Sequence, residues 1–490
     1  MKIKQIISFV ITPLVIIWML LFVELDPANP KVTPAFCIAL LMAVWWITEI
    51  VPLAVTSLLP VALFPLLGVM DGKTVAASYF NDVIFLFMGG FLVALAMERW
   101  NLHRRIALKI LSLIGVSPAK ILLGFMVASF FLSMWISNTA TVMMMIPITM
   151  SLITQLESLM PGKNRFSVGL LLGIAYSAST GGMATLVGTP PNLSLVRIYN
   201  IYFPHAPEIT FSNWIIFALP VSLLIFAFTW FLLYTSFKPS KGEWTDIDRF
   251  TFHNQLKQQG KITYQERVVL IVFTLLTLLW LFRADLDLGS FKLPGWASLF
   301  PENKFINDGT VAIFMAIILF LIPSKMGGGD KILDWATASK IPWHILLLFG
   351  GGFALATGFK DSGLSLWFGN KLSGVATLHP ILIILIISLV ITFLTELTSN
   401  TATTEMVLPV LAGIAITTNI NPLLLMIPAT MSASMAFMLP VATPPNAIIF
   451  GTNRIKVSQM ARTGLIINLV GAAIITLMMY FWGSFTFNIN

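Results

Sequence analysis

Ser137-Asn138-Thr139-Ala140-Thr141 and Ser399-Asn400-Thr401-Ala402-Thr403 are two copies of one five-residue string, each set deep in apolar sequence. Hydroxyls and amides at such depth have no water to satisfy them, so they are costly unless they line a cavity or bind something. Working outward, the two copies lie 262 positions apart, and so do Gly90 and Gly352, and Pro147 and Pro409. Beyond each copy comes a second polar break, Gly188-Thr189-Pro190-Pro191-Asn192 and Ala442-Thr443-Pro444-Pro445-Asn446, with Thr189 and Thr443 254 positions apart. Only the loop after the string differs in length. The chain reads as a duplication, and the two strings are expected to build one binding site from two halves.

Hydrophobic residues make up 57% of the 490, charged residues 10%, and the mean hydropathy is +0.89. Soluble domains carry about 25% charged residues. Apolar runs of roughly 20 residues recur from end to end, which is the mark of an all-α polytopic membrane protein. The start, Met1-Lys2-Ile3-Lys4, leads into an apolar run with no small-residue cleavage site, so it reads as a membrane helix rather than a removable signal. The net charge of +8 then reflects orientation in a bilayer, with no nucleic-acid partner implied. Cys37 is alone, which leaves no disulfide or cysteine metal cluster within the chain and suits a small buried hydrophobe.

Eleven spans are expected, near 6–23, 35–51, 52–69, 83–97, from 168 onward, 214–237, 268–282, 309–322, 345–357, 423–450 and 465–482, of which the one from 168, interrupted at 177–192, and 423–450 are broken. The arms on either side of each string measure only about 14 to 17 residues, short of a bilayer core of ~30 Å at ~1.5 Å per residue. Each string therefore predicts the tip of a re-entrant hairpin. The domains follow: residues 1–33 as an amino-terminal helix, 34–237 as the first repeat, 238–266 as a polar linker, and 267–490 as the second repeat. A cytoplasmic amino terminus in the cell membrane puts 21 of the 29 Lys and Arg residues on the cytoplasmic side and the carboxyl terminus outside. The two halves then have opposite orientations, the first hairpin entering from inside and the second from outside. Such inverted-topology repeats place a transport site near the midplane.

The breaks create helix ends. Ser, Asn and Thr cap helix N-termini well, and proline suits a first helical turn. Four N-termini, after Ser137, Thr189, Ser399 and Thr443, are thus expected to aim at one region, and their free N–H groups and partial positive charge suit an anion. The hydroxyls of Ser137, Thr139, Ser399 and Thr401 and the amides of Asn138 and Asn400 add neutral donors. The helices that end at the breaks leave carbonyl oxygens, which with an Asn side-chain oxygen suit Na+. No Lys or Arg lies in either string or either Pro-Pro break. A dianion there would be balanced by dipoles and co-ions. A single such string is more often a helix contact and a single Pro-Pro a kink. Two of each in matched register reverse that balance.

These residues, with Trp46-Ile47-Thr48-Glu49-Ile50-Val51-Pro52-Leu53-Ala54-Val55-Thr56-Ser57 and Glu98-Arg99-Trp100-Asn101-Leu102-His103, resemble the divalent anion/sodium symporter family over nearly the whole chain. The resemblance implies a homodimer with scaffold and transport domains, an elevator-type movement, and Na+-driven uptake of dicarboxylates such as succinate, malate or fumarate. It implies at least two Na+ sites. One takes the carbonyls of Ser133, Ile136 and Gly188 and the side chain of Asn138; the other takes the carbonyls of Thr395, Thr398 and Ala442 and the side chain of Asn400. The substrate carboxylates would meet Ser137, Asn138 and Thr139 on one side and Ser399, Asn400 and Thr401 on the other, with Thr189, Thr443 and Pro444 lining the rest. A Na+-independent dicarboxylate exchanger on the same fold, or a symporter for citrate or sulfate, are the alternatives.

Other residues say less. Glu49 reads as an interfacial or packing carboxylate rather than an ion ligand, and Glu396 and Glu405 as buried hydrogen-bond partners rather than coupling groups. The five histidines show no ligand spacing. Gly327-Gly328-Gly329 lacks a phosphate-loop setting and reads as a turn. No nucleophile, base or metal constellation suggests an enzyme such as an intramembrane hydrolase. Two occluding tips suit a carrier better than a channel.

Overall fold

The structure, a computed structural model, describes residues 7–115, 117–159, 165–239, 251–287, 292–325 and 330–487, which are mostly helical. Among the described residues, seven helices are long and apolar enough to cross a bilayer, and seven shorter apolar helices of 10–17 residues accompany them. Leu21, Phe22, Leu66 and Phe314 are each more than 60% exposed. Bare apolar side chains of this kind are a liability in water and at no disadvantage against lipid tails.

The duplication is visible in the backbone. Helices Pro118–Ser133 and Pro380–Thr395 are 16 residues each and stand in the 262-residue register. Each opens on proline at the first turn and stops just short of its polar string. The helices that follow are longer than expected: Asn138–Leu159 has 22 residues and Asn400–Thr418 has 19. At ~1.5 Å per residue these measure ~33 Å and ~29 Å, so length alone does not set the second arms apart from spanning helices. The hydropathy reading stopped too early because the polar residues Thr154, Gln155, Glu157, Thr417 and Thr418 continue the helices.

Other boundaries shift for local reasons. The expected span 35–51 is helix Val32–Thr48, ended by Glu49 in the left-handed conformation (φ 46°) three residues before Pro52. The expected span 52–69 divides into Leu53–Thr56 and Leu59–Leu66. The linker contains a helix, Thr251–Gln258, and the second repeat opens at Tyr264 behind a capping box of Thr263 and Glu266. Arg105 fixes that junction, pairing with Glu266 at 2.8 Å and donating to the Gly260 carbonyl at 2.9 Å. The loop before Asp308 holds a short antiparallel pair, Leu286–Asp287 with Lys292–Leu293, which hydropathy did not suggest. The Gly327-Gly328-Gly329 turn lies outside the described residues.

Packing brings the two halves together crosswise. Helix Pro118–Ser133 lies on Arg165–Met183, and Pro380–Thr395 lies on Pro422–Ala433. Helix Asn138–Leu159 packs on Pro444–Phe450 from the other half, and Asn400–Thr418 packs on Pro190–Tyr202. Each string is thereby set beside the Pro-Pro break of the opposite repeat. Around this group stand Val32–Thr48, Leu53–Thr56, Leu59–Leu66, Asp82–Arg99, Asp308–Leu321 and Trp343–Asp361. Close contact within that frame depends on small residues: a Cβ on Gly89 would sit 2.5 Å from the Ala312 Cβ. An ionic tie, buried at Arg283 and Asp308, holds the start of the frame helix Asp308–Leu321. Arg283 pairs with Asp308 at 2.5 Å and Glu208 at 2.8 Å, and Asp308 also accepts from the Phe211 N–H at 3.1 Å.

Candidate functional site

The two strings do what short polar residues do at helix starts, with one difference. Ser137 Oγ accepts from the Ala140 N–H at 3.2 Å, an ordinary N-cap. Ser399 makes no such bond, although its backbone is extended at φ −64° and ψ 136°. At the second breaks, Thr189 and Thr443 precede Pro190 and Pro444 in extended conformation (φ −147° and −142°). Thr443 caps its helix through the Asn446 N–H, and Thr189 does not.

The breaks are held by Asn192 and Asn446, the last residues of the two Pro-Pro-Asn segments. Asn192 Nδ2 donates to the Thr185 carbonyl at 2.7 Å and, more loosely, to the Gly182 carbonyl at 3.4 Å. Asn446 Nδ2 donates to the Leu439 and Ala436 carbonyls at 3.1 and 3.0 Å, the same positions in the 254-residue register. The repeated Pro-Pro-Asn was legible in the sequence, and the role of its Asn was missed there.

All nine residues expected to meet substrate, Ser137, Asn138, Thr139, Thr189, Ser399, Asn400, Thr401, Thr443 and Pro444, line a single cavity of about 580 Å³. The four N-termini after the breaks open onto it. Trp46, Glu49, Phe87, Phe91, His344 and Leu348 of the surrounding frame close its other side, none of which the sequence reading placed there. Among the described residues neither Lys nor Arg lines it, and Glu49 and Glu396 are its acidic side chains.

Of the residues expected around Na+, Asn138, Gly188, Thr398, Asn400 and Ala442 line the cavity, while Ser133, Ile136 and Thr395 lie buried behind it. In the first half the geometry makes a cradle of oxygens. A methyl placed on Gly182 would stand 2.6 Å from Asn138 Oδ1 and 3.0 Å from the Gly188 carbonyl oxygen. One placed on Gly188 would stand 2.5 Å from the Gly182 carbonyl oxygen and 3.0 Å from that of Ser133. Four uncharged oxygens thus face one small space, a donor set that fits a hard monovalent cation. Gly182 was not among the expected ligands. In the second half Ala436 and Ala442 stand at the positions of Gly182 and Gly188, so the two cradles are not copies. The Asn amides are oriented alike: Ser133 Oγ donates to Asn138 Oδ1 at 2.5 Å, and Thr395 Oγ1 to Asn400 Oδ1 at 2.8 Å.

Glu396 is a structural partner, as the sequence reading preferred. Its carboxylate accepts from the N–H groups of Phe437, Met438 and Leu439 at 2.7, 2.8 and 3.1 Å and from Asn468 Nδ2 at 2.7 Å. It holds the second break where the first is held by Thr185, whose hydroxyl donates to the Met134 carbonyl. Glu396→Ala leaves four donors without their acceptor, of which the two fully buried ones, the Phe437 N–H and Asn468 Nδ2, are each worth about 1–3 kcal/mol. The expected result is a melting temperature lowered by several degrees and loss of solute binding, read by thermal unfolding of the purified protein. Glu405 accepts from Ser194 Oγ at 2.5 Å and packs against Gly352, where a Cβ would fall 2.1 Å from its Oε2. Glu49 lines the cavity; its backbone N–H donates to the Trp45 carbonyl at 2.9 Å, and among the described residues its side chain makes no hydrogen bond or ion pair. Among the described residues no group of His, Cys, Asp and Glu could hold a metal by side chains.

Residues 3–489 match the family described as the sodium:sulfate symporter transmembrane region. The sodium-dependent dicarboxylate transporter SdcS of Staphylococcus aureus (strain NCTC 8325 / PS 47) is 44% identical over 485 residues, covering 97% of this chain and 91% of that protein. Among solved structures, the YdaH transporter of Alcanivorax borkumensis aligns with a TM-score of 0.56 at 13% identity, over 85% of this chain and 87% of that one. MtrF of Neisseria gonorrhoeae aligns with a TM-score of 0.52 at 13% identity, over 84% and 83%. At that identity the structural likeness speaks to the fold alone.

Proposed function

The chain belongs to the sodium:sulfate symporter family, the divalent anion/sodium symporters, and from that premise we propose that it carries C4-dicarboxylates such as succinate, malate and fumarate into the cell together with Na+. The observation that carries this reading is the convergence of both strings and both Pro-Pro breaks on one cavity lined by no Lys or Arg. A dianion entering it meets four helix N-termini, the hydroxyls of Ser137, Thr139, Ser399 and Thr401, and the amides of Asn138 and Asn400. These neutral donors and partial charges do not cancel two full negative charges in a low-dielectric place, so cations bound beside them lower the cost of the dianion. One Na+ is assigned to the oxygens of Ser133, Ile136, Asn138 and Gly188, joined here by Gly182. A second is assigned to those of Thr395, Thr398, Asn400 and Ala442. Coupling then follows from linkage, since each solute raises the affinity for the other by the same factor.

In this reading the strings are the tips of two re-entrant hairpins from opposite faces, and eleven helices span the cell membrane with the amino terminus in the cytoplasm. The hairpins and broken helices move as one body against the frame in an elevator step, within a homodimer. What supports the inverted arrangement is the 262-residue register and the crosswise packing of each string on the other repeat.

Uptake of labelled succinate into proteoliposomes tests the reading. Accumulation driven by an inward Na+ gradient, with empty vesicles, is the expected result. Uptake that ignores Na+ and requires internal dicarboxylate would instead establish an exchanger. Competition by citrate or sulfate, but not by malate, would move the substrate to those anions.

A further inference from the structure

The cavity is built asymmetrically in charge. On one side stand the strings, the N-termini and the cation cradle; on the other stands the frame, whose charged contribution is Glu49. Three facts about Glu49 belong together. Its backbone is left-handed, φ 46° and ψ 40°, a conformation that Gly or Asn adopts easily and a longer side chain adopts at a cost. Among the described residues its side chain makes no hydrogen bond or ion pair that would repay that cost. It lines the cavity and is exposed there. A residue needed only to end helix Val32–Thr48 ahead of Pro52 would do so better as Gly or Asn. The side chain is therefore kept for its charge in the cavity.

Resting on the transport reading above, we propose that Glu49 determines specificity by setting the limit of two carboxylates on the solute. The two strings supply two sets of donors, one for each carboxylate of a dianion. A third carboxylate has no set of its own and is directed across the cavity toward the frame. There it meets the Glu49 carboxylate with no Lys or Arg to offset either charge. Like charges at close range in a partly desolvated cavity repel strongly. The Glu396 carboxylate does not serve this purpose, because four donors already saturate it. His344, also on the frame side, is the remaining titratable group that faces the cavity.

The experiment compares Na+-driven uptake of succinate and of citrate at fixed pH 8 by wild-type protein, Glu49→Asn and Glu49→Asp in proteoliposomes. Asn suits the left-handed backbone, so Glu49→Asn is expected to fold at least as well as wild type, checked by thermal unfolding. Removing one repelling charge is expected to raise the citrate-to-succinate ratio of kcat/KM by about tenfold or more, while Glu49→Asp keeps the wild-type ratio. Citrate binding read by thermal shift should rise in Glu49→Asn alone, and this readout does not depend on transport. An unchanged ratio in Glu49→Asn, or an equal rise in Glu49→Asp, would overturn the proposal while leaving wild-type succinate uptake intact. Absence of Na+-driven succinate uptake by the wild type would instead remove the transport reading itself, and this inference with it.

Discussion

Gly182→Ala is expected to destroy the first cation cradle while leaving the protein folded. The added methyl would stand 2.6 Å from Asn138 Oδ1 and 3.0 Å from the Gly188 carbonyl oxygen, inside the space those oxygens share. An ion held there loses its place, or the Asn138 amide must turn away. The fold has reason to tolerate the change, because Ala436 occupies the matching position of the second break with the same Asn contact to its carbonyl. Losing ligands of this kind costs about 1–3 kcal/mol apiece, so Na+ activation of uptake should shift to concentrations about tenfold to a hundredfold higher. Its cooperativity should fall with it. The measurement is initial succinate uptake as a function of external Na+. An unchanged Na+ curve would contradict the assignment of the cradle.

Asn138→Ala and Asn400→Ala should each cut Na+-dependent uptake to near background. Each amide faces the cavity, and each oxygen is held by a hydroxyl five residues earlier, Ser133 or Thr395. Removing it strips an oxygen from the cation side and donors from the dianion side; Ser133 also loses its hydrogen-bond partner, while Thr395 keeps the Ala433 carbonyl at 2.8 Å. Two losses of about 1–3 kcal/mol act together on a coupled pair of solutes. Succinate KM and the Na+ requirement should therefore both rise, which a purely structural role would not produce. The two variants should also differ. The first half is a cradle of four oxygens with no Cβ in it, and the second carries the methyls of Ala436 and Ala442. Normal Na+ affinity in both variants would contradict the shared-site account.

Much of this is legible in the sequence. Ser137-Asn138-Thr139 and its copy, with the two Thr-Pro-Pro breaks, located the cavity lining because each residue type has a strong local reason to begin a helix. The matched register identified the pairing of halves. Helix length was not legible: Thr154, Gln155 and Glu157 look like a loop to a hydropathy window, yet the helix runs through them. Nor was the frame side of the cavity. Trp46, Phe87 with Phe91, and His344 lie on three separate helices whose approach depends on tertiary packing rather than local pattern. Glu49 carried a signal that sequence alone could not decode, because its left-handed backbone is a consequence of the turn into Pro52. Gly182 was hidden for a similar reason, since its importance is the absence of an atom near two oxygens, Asn138 Oδ1 and the Gly188 carbonyl.

The most direct test of the central claim is an experimental map of the protein determined with Na+ and succinate. The account expects density for a dicarboxylate between Ser137-Asn138-Thr139 and Ser399-Asn400-Thr401, with an ion among the oxygens of Ser133, Gly182, Gly188 and Asn138. Succinate bound elsewhere, or the two strings separated with no solute between them in the presence of saturating Na+, would contradict it.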